Sequence, residues 1–463
     1  MVIVCEFKEF AVEIWDLPYF DINIVIIILL IRKEAFMSID IKRTQLSEGV
    51  NFTQICDQKF KTNRISITLV APLSEKTAAS YAVLPFILRR GFRACPNSAE
   101  FSRLLASLYG AACDYGVKKA GDDQLLTLSI SAIDDRFTLG GEKITAEISK
   151  ILCSLILDPV IENGCFPAAS FETEKQSLID SIKAELNDKV ALASARCQQI
   201  MLEGHSAAIS RFGSLESAEA LDCEEVFDAY NELLKKARIE IVFIGSGDGE
   251  SAKEIFASSF SASAEREKPF ETGSSVFKAF GGIKDVTEQY SISQGKLSMG
   301  FSCSTVIGDE DESAMEIMRI ILGGAPFSKL FLNVREKHSL CYYCSASYDR
   351  FKGTILINSG IEKENLDKAK TEILRQLEDM QNGEISDIEI ENTRKLITNV
   401  YTGISDGIFK TEQYFLPRLI AGKDTSPEDE LKALCSVTRE DIINAARRVS
   451  LNTVYFMSPK EES

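Results

Sequence analysis

The sequence predicts an α+β protein built as two tandem copies of one domain, each a mixed β-sheet packed with helices. Three observations carry this. Alternating or wholly apolar strand-like runs are interleaved with amphipathic helical runs, so the apolar period switches repeatedly between about 2 and about 3.6. The same order of elements occurs twice, with corresponding elements offset by about 214 to 231 residues, and self-similarity at a long fixed distance marks a duplication. A Ser/Ala/Glu-rich stretch, Ser259 to Ser275, separates the copies and reads as a linker. With 463 residues each copy can bury its own core. The layout expected is an extension over residues 1–36, a first domain over 37–260, a linker over 261–275 and a second domain over 276–463.

The first copy opens on an alternating strand, Ile65 to Val70, followed by helical runs from about Ala79 to Arg90 and from Ser98 to Tyr109. A strand follows, Gln124 to Ala132, then a helix with Ile144, Ile148, Ile151, Leu152 and Leu155 on one face. A long polar helix, Phe171 to Asp188, leads through further helices to a last strand, Ile239 to Ile244. The second copy repeats the order. Its strand is Lys296 to Cys303, with helices at about Glu310–Leu322 and Phe327–Lys337 and a strand from Thr354 to Ile361. A helix then carries Leu366, Ala369, Ile373, Leu377 and Met380 on one face. Ser386 and Glu389 have capping-box spacing and open another long helix, and the final strand is Thr453 to Phe456.

Composition excludes several functions. Net charge is −17, no cluster of five or more Lys/Arg occurs, and phosphate-tracking surfaces need basic patches, so nucleic-acid binding is not expected. Ile22 to Ile31 is an apolar run, but a membrane span needs about 20 residues and a signal peptide needs a basic start. The acidic residues before this run and the composition break at Met37 make residues 1–36 a poorly ordered extension rather than an anchor, and the expected location is cytoplasmic. The 12 cysteines show no framework spacing and read as reduced, mostly buried thiols. Cys341 and Cys344 form a C-x-x-C, but in a strand-like run the two positions point to opposite faces, which argues against thiol redox chemistry. The Gly pairs at 140–141, 281–282 and 323–324 lack the Lys-Ser/Thr of a phosphate loop and read as turns. The chain has 2 histidines, His205 and His338, neither with a metal-ligand neighbour at helical spacing.

The stretch from Leu322 through Gly323-Gly324, Leu330-Phe331 and Arg335-Glu336-Lys337 to Leu340 and Tyr342 resembles the C-terminal domain of the M16 (insulinase, or mitochondrial-processing-peptidase) family. There a Gly-rich turn leads to a helix ending in R-E-x-x-G-L-A-Y, and Ser339 stands where the Gly is usual. Gly204-His205-Ser206, Gly213 to Ser217, and the run from Asp222 to Gly245 resemble a second conserved stretch, in which the histidine belongs to a structural loop. The resemblance covers roughly residues 45 to 460 and implies two domains of the LuxS/MPP-like metallohydrolase fold. It also implies that Arg335 and Tyr342 help hold a substrate backbone. The bland reading makes Arg335 a surface ion-pair residue and Tyr342 a packed aromatic.

In the family an H-x-x-E-H motif on the first helix, with a distant glutamate, binds Zn²⁺, and the motif glutamate activates water. Anchored on Gly91, those positions fall here on Ala82, Pro85 and Phe86, and the distant ligand falls on Ser181 in the helix beginning near Glu174. None of the four can bind zinc or take a proton at neutral pH. The resemblance therefore implies an inactive homologue without cofactor, working as a peptide-holding subunit with an active, zinc-containing paralogue on a peptide or protein substrate. The helix Leu84-Pro85-Phe86-Ile87-Leu88-Arg89-Arg90-Gly91 and the second-half motif are most similar to inactive bacterial members linked to aminopentanol modification of elongation factor P. The alternatives are an active zinc peptidase with its site elsewhere, a structural core protein without a peptide role, and a thiol oxidoreductase using Cys341 and Cys344.

Overall fold

A computed structural model describes residues 40–460 apart from 248, 263–265 and 280; the extension 1–36 and its apolar run lie outside the described residues. Two sheets organise the chain. The first has six strands in the order β1-β2-β6-β3-β5-β4: β1 (Asp40–Ser47), β2 (Val50–Cys56), β3 (Thr62–Pro72), β4 (Ala112–Ala120), β5 (Asp123–Ile133) and β6 (Arg238–Gly245). The second has five in the order β7-β11-β8-β10-β9: β7 (Lys284–Tyr290), β8 (Gly295–Ser302), β9 (Cys341–Asp349), β10 (Thr354–Ile361) and β11 (Ser450–Pro459). The topologies superpose strand for strand. β2 runs parallel to β6 as β7 does to β11, and every other pairing in both sheets is antiparallel. β1 is an additional edge strand of the first sheet.

One face of each sheet carries that half's core. In the first, Ile65, Ile67 and Leu69 of β3 meet the helices Ala78–Leu88, Ile144–Leu157 and Ala168–Asn187. In the second, Leu297, Met299 and Phe301 of β8 meet the helices Glu312–Arg319, Leu366–Gln381 and Arg439–Arg447. The predicted capping box at Ser386 forms in full and starts the helix Asp387–Thr402. The helix Lys189–Met201 of the first half lies against β8 and β11, where Ala193 and Cys197 pack on Leu356, Tyr455 and Met457. Gly300 permits this approach, because a Cβ there would lie 2.7 Å from Met201 Sδ. At this contact the two halves are packed directly against each other.

Four expectations are corrected. The first copy opens with β1 and β2 and not at Ile65, and β4 and β7 are strands that the apolar pattern does not mark. β1, β4 and β7 are edge strands with polar residues on both faces, so they lack the apolar alternation that marks a half-buried strand. The helix Gly249–Ala262 runs into the linker-like stretch, and Phe260 is buried, so composition misplaced the start of the connection. Cys165 and Cys223 form a disulfide, which the reading of all cysteines as thiols missed, since residues 58 apart in sequence give no spacing signal. The fourth correction concerns Cys341 and Cys344.

Candidate functional site

The helix Ala78–Leu88 (AASYAVLPFIL) has no charged residue and is buried on every side. Such a helix is a core element. Ala82 is fully buried, Phe86 sits edge-on against Tyr115 at 4.8 Å, and Pro85 lies inside the helix. Burying a side chain such as Phe86 contributes about 1.5–3 kcal/mol, so restoring a metal ligand there would cost core packing as well. Ser181, on the neighbouring helix, donates its hydroxyl to the Ser177 carbonyl at 2.8 Å. A methyl, a pyrrolidine, a phenyl ring and an already engaged hydroxyl do not fit a Zn²⁺ site. Among the described residues no group of three or more His, Cys, Asp or Glu side chains is placed to hold a metal ion.

The two helices are tied by charge instead. Glu174, 2% exposed, accepts a 2.6 Å hydrogen bond from Arg90, and Arg89 lies 3.7 Å from its second oxygen. Arg89 also stacks on Tyr115, 4.5 Å from the ring centre.

Arg335 lies on the π-helical segment Leu330–Lys337, and Tyr342 lies at the start of β9. A tight turn joins them, with the N–H groups of Ser339 and Leu340 bonded back to the carbonyls of Arg335 and Val334. Arg335 rests on the Phe331 ring at 4.6 Å and is 3.5 Å from the exposed Glu336 carboxylate. Tyr342 is 62% exposed, which corrects the reading of a packed strand aromatic. Ser339 has φ +51°, the left-handed region that favours glycine, and this accounts for the glycine usual at its position. Ser339→Gly is expected to raise stability by about 0.5–1 kcal/mol, the relief of strain less the extra freedom of the unfolded chain. An unchanged or lowered urea midpoint would refute this.

The pairing of β9 with β10 slips at this point. Gly360 faces Tyr343 while Ile361 faces Cys341, leaving Tyr342 as the extra residue of a bulge. The slip cancels one alternation, so Cys341 and Cys344 share the buried face rather than pointing apart as the sequence analysis expected. The Cys344 thiol stabilises the Cys341 thiolate and pulls the Cys341 pKa down, helped by the nearby Arg335; Cys344 is pushed well up by its bond to Cys341 and by burial. Both remain thiols in this structure.

His205 makes no side-chain capping bond; its ring packs edge-on to Phe277 at 5.7 Å, beside a polar cavity of about 730 Å³. His338 lies 3.9 Å from Glu372 at the rim of a cavity of about 540 Å³. No hydrogen bond or ion pair of the described residues joins the Arg335–Tyr342 turn to the helix Ala78–Leu88. No sequence signal pointed to Arg90 and Glu174, because the pair becomes visible only once the two helices are packed together.

Residues 220–397 match the domain family described as the peptidase M16 inactive domain. The chain is 27% identical over 404 residues to the probable inactive metalloprotease YmfF of Bacillus subtilis, spanning 87% of this chain and 94% of that one. It is 23% identical over 301 residues to an uncharacterized zinc protease of Rickettsia bellii, spanning 64% of this chain and 71% of that one. Among solved structures, a conserved protein from Enterococcus faecalis V583 superposes with a TM-score of 0.84 at 27% identity, over 91% of this chain and 99% of that one.

Proposed function

We propose that this chain is an inactive homologue of the M16 peptidase family and serves as the non-catalytic, peptide-holding subunit of a complex with an active, zinc-containing M16 paralogue. The observation that carries the proposal is the helix Ala78–Leu88, where Ala82, Pro85 and Phe86 are core residues at the places of the family's ligands and base. A chain that has filled its own site with packed side chains needs another chain to perform any hydrolysis. Arg335 and the exposed Tyr342 keep donors on an accessible turn, and neither donor depends on a metal. A cytoplasmic location, expected from the composition of residues 1–36, and a link to elongation factor P modification, implied by the resemblance, are part of this proposal. In a reducing cytoplasm the Cys165–Cys223 bridge would open to two thiols. No helix among the described residues is long and apolar enough to cross a membrane.

A structural role without peptide binding is the second reading, favoured by the direct packing of the helix Lys189–Met201 on β8 and β11 between the halves. One measurement tests the loss of the site, which both readings share, and a second separates them. Elemental analysis of the purified chain is expected to give zinc far below one per chain; a value near one would refute the loss of the site. Affinity capture from the native cell is expected to bring down a second M16-type chain carrying H-x-x-E-H, and peptide turnover by the pair should depend on both. Turnover by the partner alone at the same rate would leave the structural role.

A further inference from the structure

Cys165 and Cys223 are 58 residues apart in sequence, yet the fold holds their Cα atoms at 6.4 Å, inside the range that a disulfide needs. Cys165 closes a tight turn over Glu162, Asn163 and Gly164. Asn163 and Gly164 have φ +52° and +81°, and Glu162 and Cys165 exchange backbone bonds of 2.8 and 3.0 Å, the pattern of a type I′ turn. Cys223 is the first residue of the helix Cys223–Lys236. The contacts that bring turn and helix together do not involve sulfur. Phe166, next to Cys165 and 2% exposed, packs edge-on to Phe227 at 5.5 Å and to Tyr230 at 5.6 Å. Tyr230 donates its hydroxyl to the Ile156 carbonyl at 2.9 Å, and Lys175 donates to the Leu221 carbonyl at 2.8 Å. The two cysteines are therefore held side by side whether or not they are joined.

The open form is provided for as well. Cys165 Sγ lies 2.8 Å from the Cys223 carbonyl and Cys223 Sγ lies 3.4 Å from the Phe166 carbonyl, so each thiol has an acceptor once the bridge is open. Both residues are half-buried, which leaves them within reach of a small thiol or disulfide. Cys153 and Cys197 are buried, and burial pushes their thiols up to about 11 and about 12, as suits inert core residues. We propose that Cys165 and Cys223 form a reversible redox site, open in a reducing environment and closed by a small-molecule disulfide. One cysteine thiolate attacks a sulfur of the disulfide RSSR and releases RS⁻. The other, as thiolate, attacks the protein sulfur of that mixed disulfide and releases the second RS⁻. The two cysteines give up two electrons and two protons, RSSR takes them, and two RSH leave. Closure ties the entry to the helix Ala168–Asn187 to the start of the helix Cys223–Lys236. Both helices pack on the helix Ala78–Leu88, so the bridge stiffens that layer of the first half. The site is independent of the peptide-holding reading.

The test uses the full chain, equilibrated while folded over a series of reduced and oxidised glutathione mixtures, quenched by alkylation and mapped by mass spectrometry. A peptide joining Cys165 to Cys223 is expected, reached from both the reduced and the oxidised side. The half-buried thiols Cys56, Cys113 and Cys435 are internal controls, expected to end alkylated or as mixed disulfides. Half-closure of the folded chain should occur at a [GSH]²/[GSSG] value about a hundredfold to a thousandfold higher than in the chain unfolded by urea, the fold-change for a bridge closing a loop of this length. Melting temperature should rise on closure and return on reduction. The double variant Cys165→Ser with Cys223→Ser should melt with the reduced parent and lose the response. Three results would overturn the proposal: mixed disulfides at Cys165 and Cys223 without a bridge, equal half-closure in folded and unfolded chains, or a bridge that glutathione cannot reopen while the chain is folded.

Discussion

Replacing Asp122 with asparagine is expected to destabilise the protein by about 3–5 kcal/mol, the range for breaking a buried ion pair by removing one partner. Asp122 lies in the turn between β4 and β5. It accepts a 2.8 Å bond from Lys352 of the second half, whose side chain is 0% exposed. The Lys352 ammonium is otherwise held by the Ser275 carbonyl at 2.6 Å, and Asp122 is also bonded by the N–H groups of Ala207 and Ser275. The pair therefore pins the first sheet, the connection between the halves and the second sheet at one point. Asparagine keeps the shape and leaves an ammonium buried without a counter-charge. The urea midpoint of Asp122→Asn gives the loss directly. The double variant Asp122→Asn with Lys352→Met should recover most of it, because replacing both partners of a buried pair is often nearly neutral. If the double variant is as unstable as the two single losses added together, the two residues are not coupled and the account fails.

The same pair fixes a pH dependence. Burial pushes the Asp122 carboxyl up, but the bonds from Lys352 and the backbone outweigh it and hold the group below its ordinary 3.8. A carboxyl depressed in the folded state stabilises above its unfolded value, and that contribution is lost as pH falls through the folded value. The stability gap between parent and Asp122→Asn should thus be full at neutral pH and shrink below about pH 3.8. The adjacent Asp123 behaves oppositely, pushed up to about 6 by burial and, to a smaller extent, by the Asp122 charge, so Asp122→Asn should also ease the Asp123 carboxyl back toward its ordinary range.

Most central strands and packed helices were legible in the sequence because burial on one or both faces forces an apolar pattern; β2, central but carrying Asn51, Thr53 and Gln54 among its apolar residues, was not. β3, β5, β6, β8, β10 and β11 all read correctly, as did the helix Leu366–Gln381. The edge strands β1, β4 and β7 escaped because water satisfies their outer side and the pattern is not enforced. The helix Ala78–Leu88 that carries Ala82, Pro85 and Phe86 was legible because its apolar run is continuous along the chain. Other features lie between distant segments. The bulge at Tyr342 shows itself only against Gly360 and Ile361 of β10, so the shared face of Cys341 and Cys344 could not be deduced from C-x-x-C alone. Arg64 and Glu412 are 348 residues apart, and nothing local to either announces the ion pair between them. The glycine-like backbone at Ser339 is an intermediate case: the departure from the family pattern marked the place, and the positive φ supplied the reason.

Arg335→Ala is expected to weaken peptide binding, or turnover by the reconstituted pair, by about 1.5–3 kcal/mol, the range for a hydrogen bond to a charged group. The guanidinium can offer a planar fork of donors to a peptide carbonyl or carboxylate. Its contacts within the chain are modest. The side chain is 41% exposed, its ion pair with Glu336 at 3.5 Å is a surface one, and its place over Phe331 is a single cation–π contact. An exposed pair contributes about 0–1 kcal/mol, and an exposed cation–π contact about 0.5–1 kcal/mol. Stability should therefore fall by less than function. Tyr342→Phe removes one hydroxyl from a 62% exposed ring and should weaken binding by about 0.5–1.5 kcal/mol with no change in folding. Melting temperature and turnover measured side by side decide the matter. A large drop in melting temperature with unchanged turnover would make Arg335 a structural residue. An intact response to peptide in both variants would remove the turn before β9 from the candidate site, leaving the structural reading of the chain.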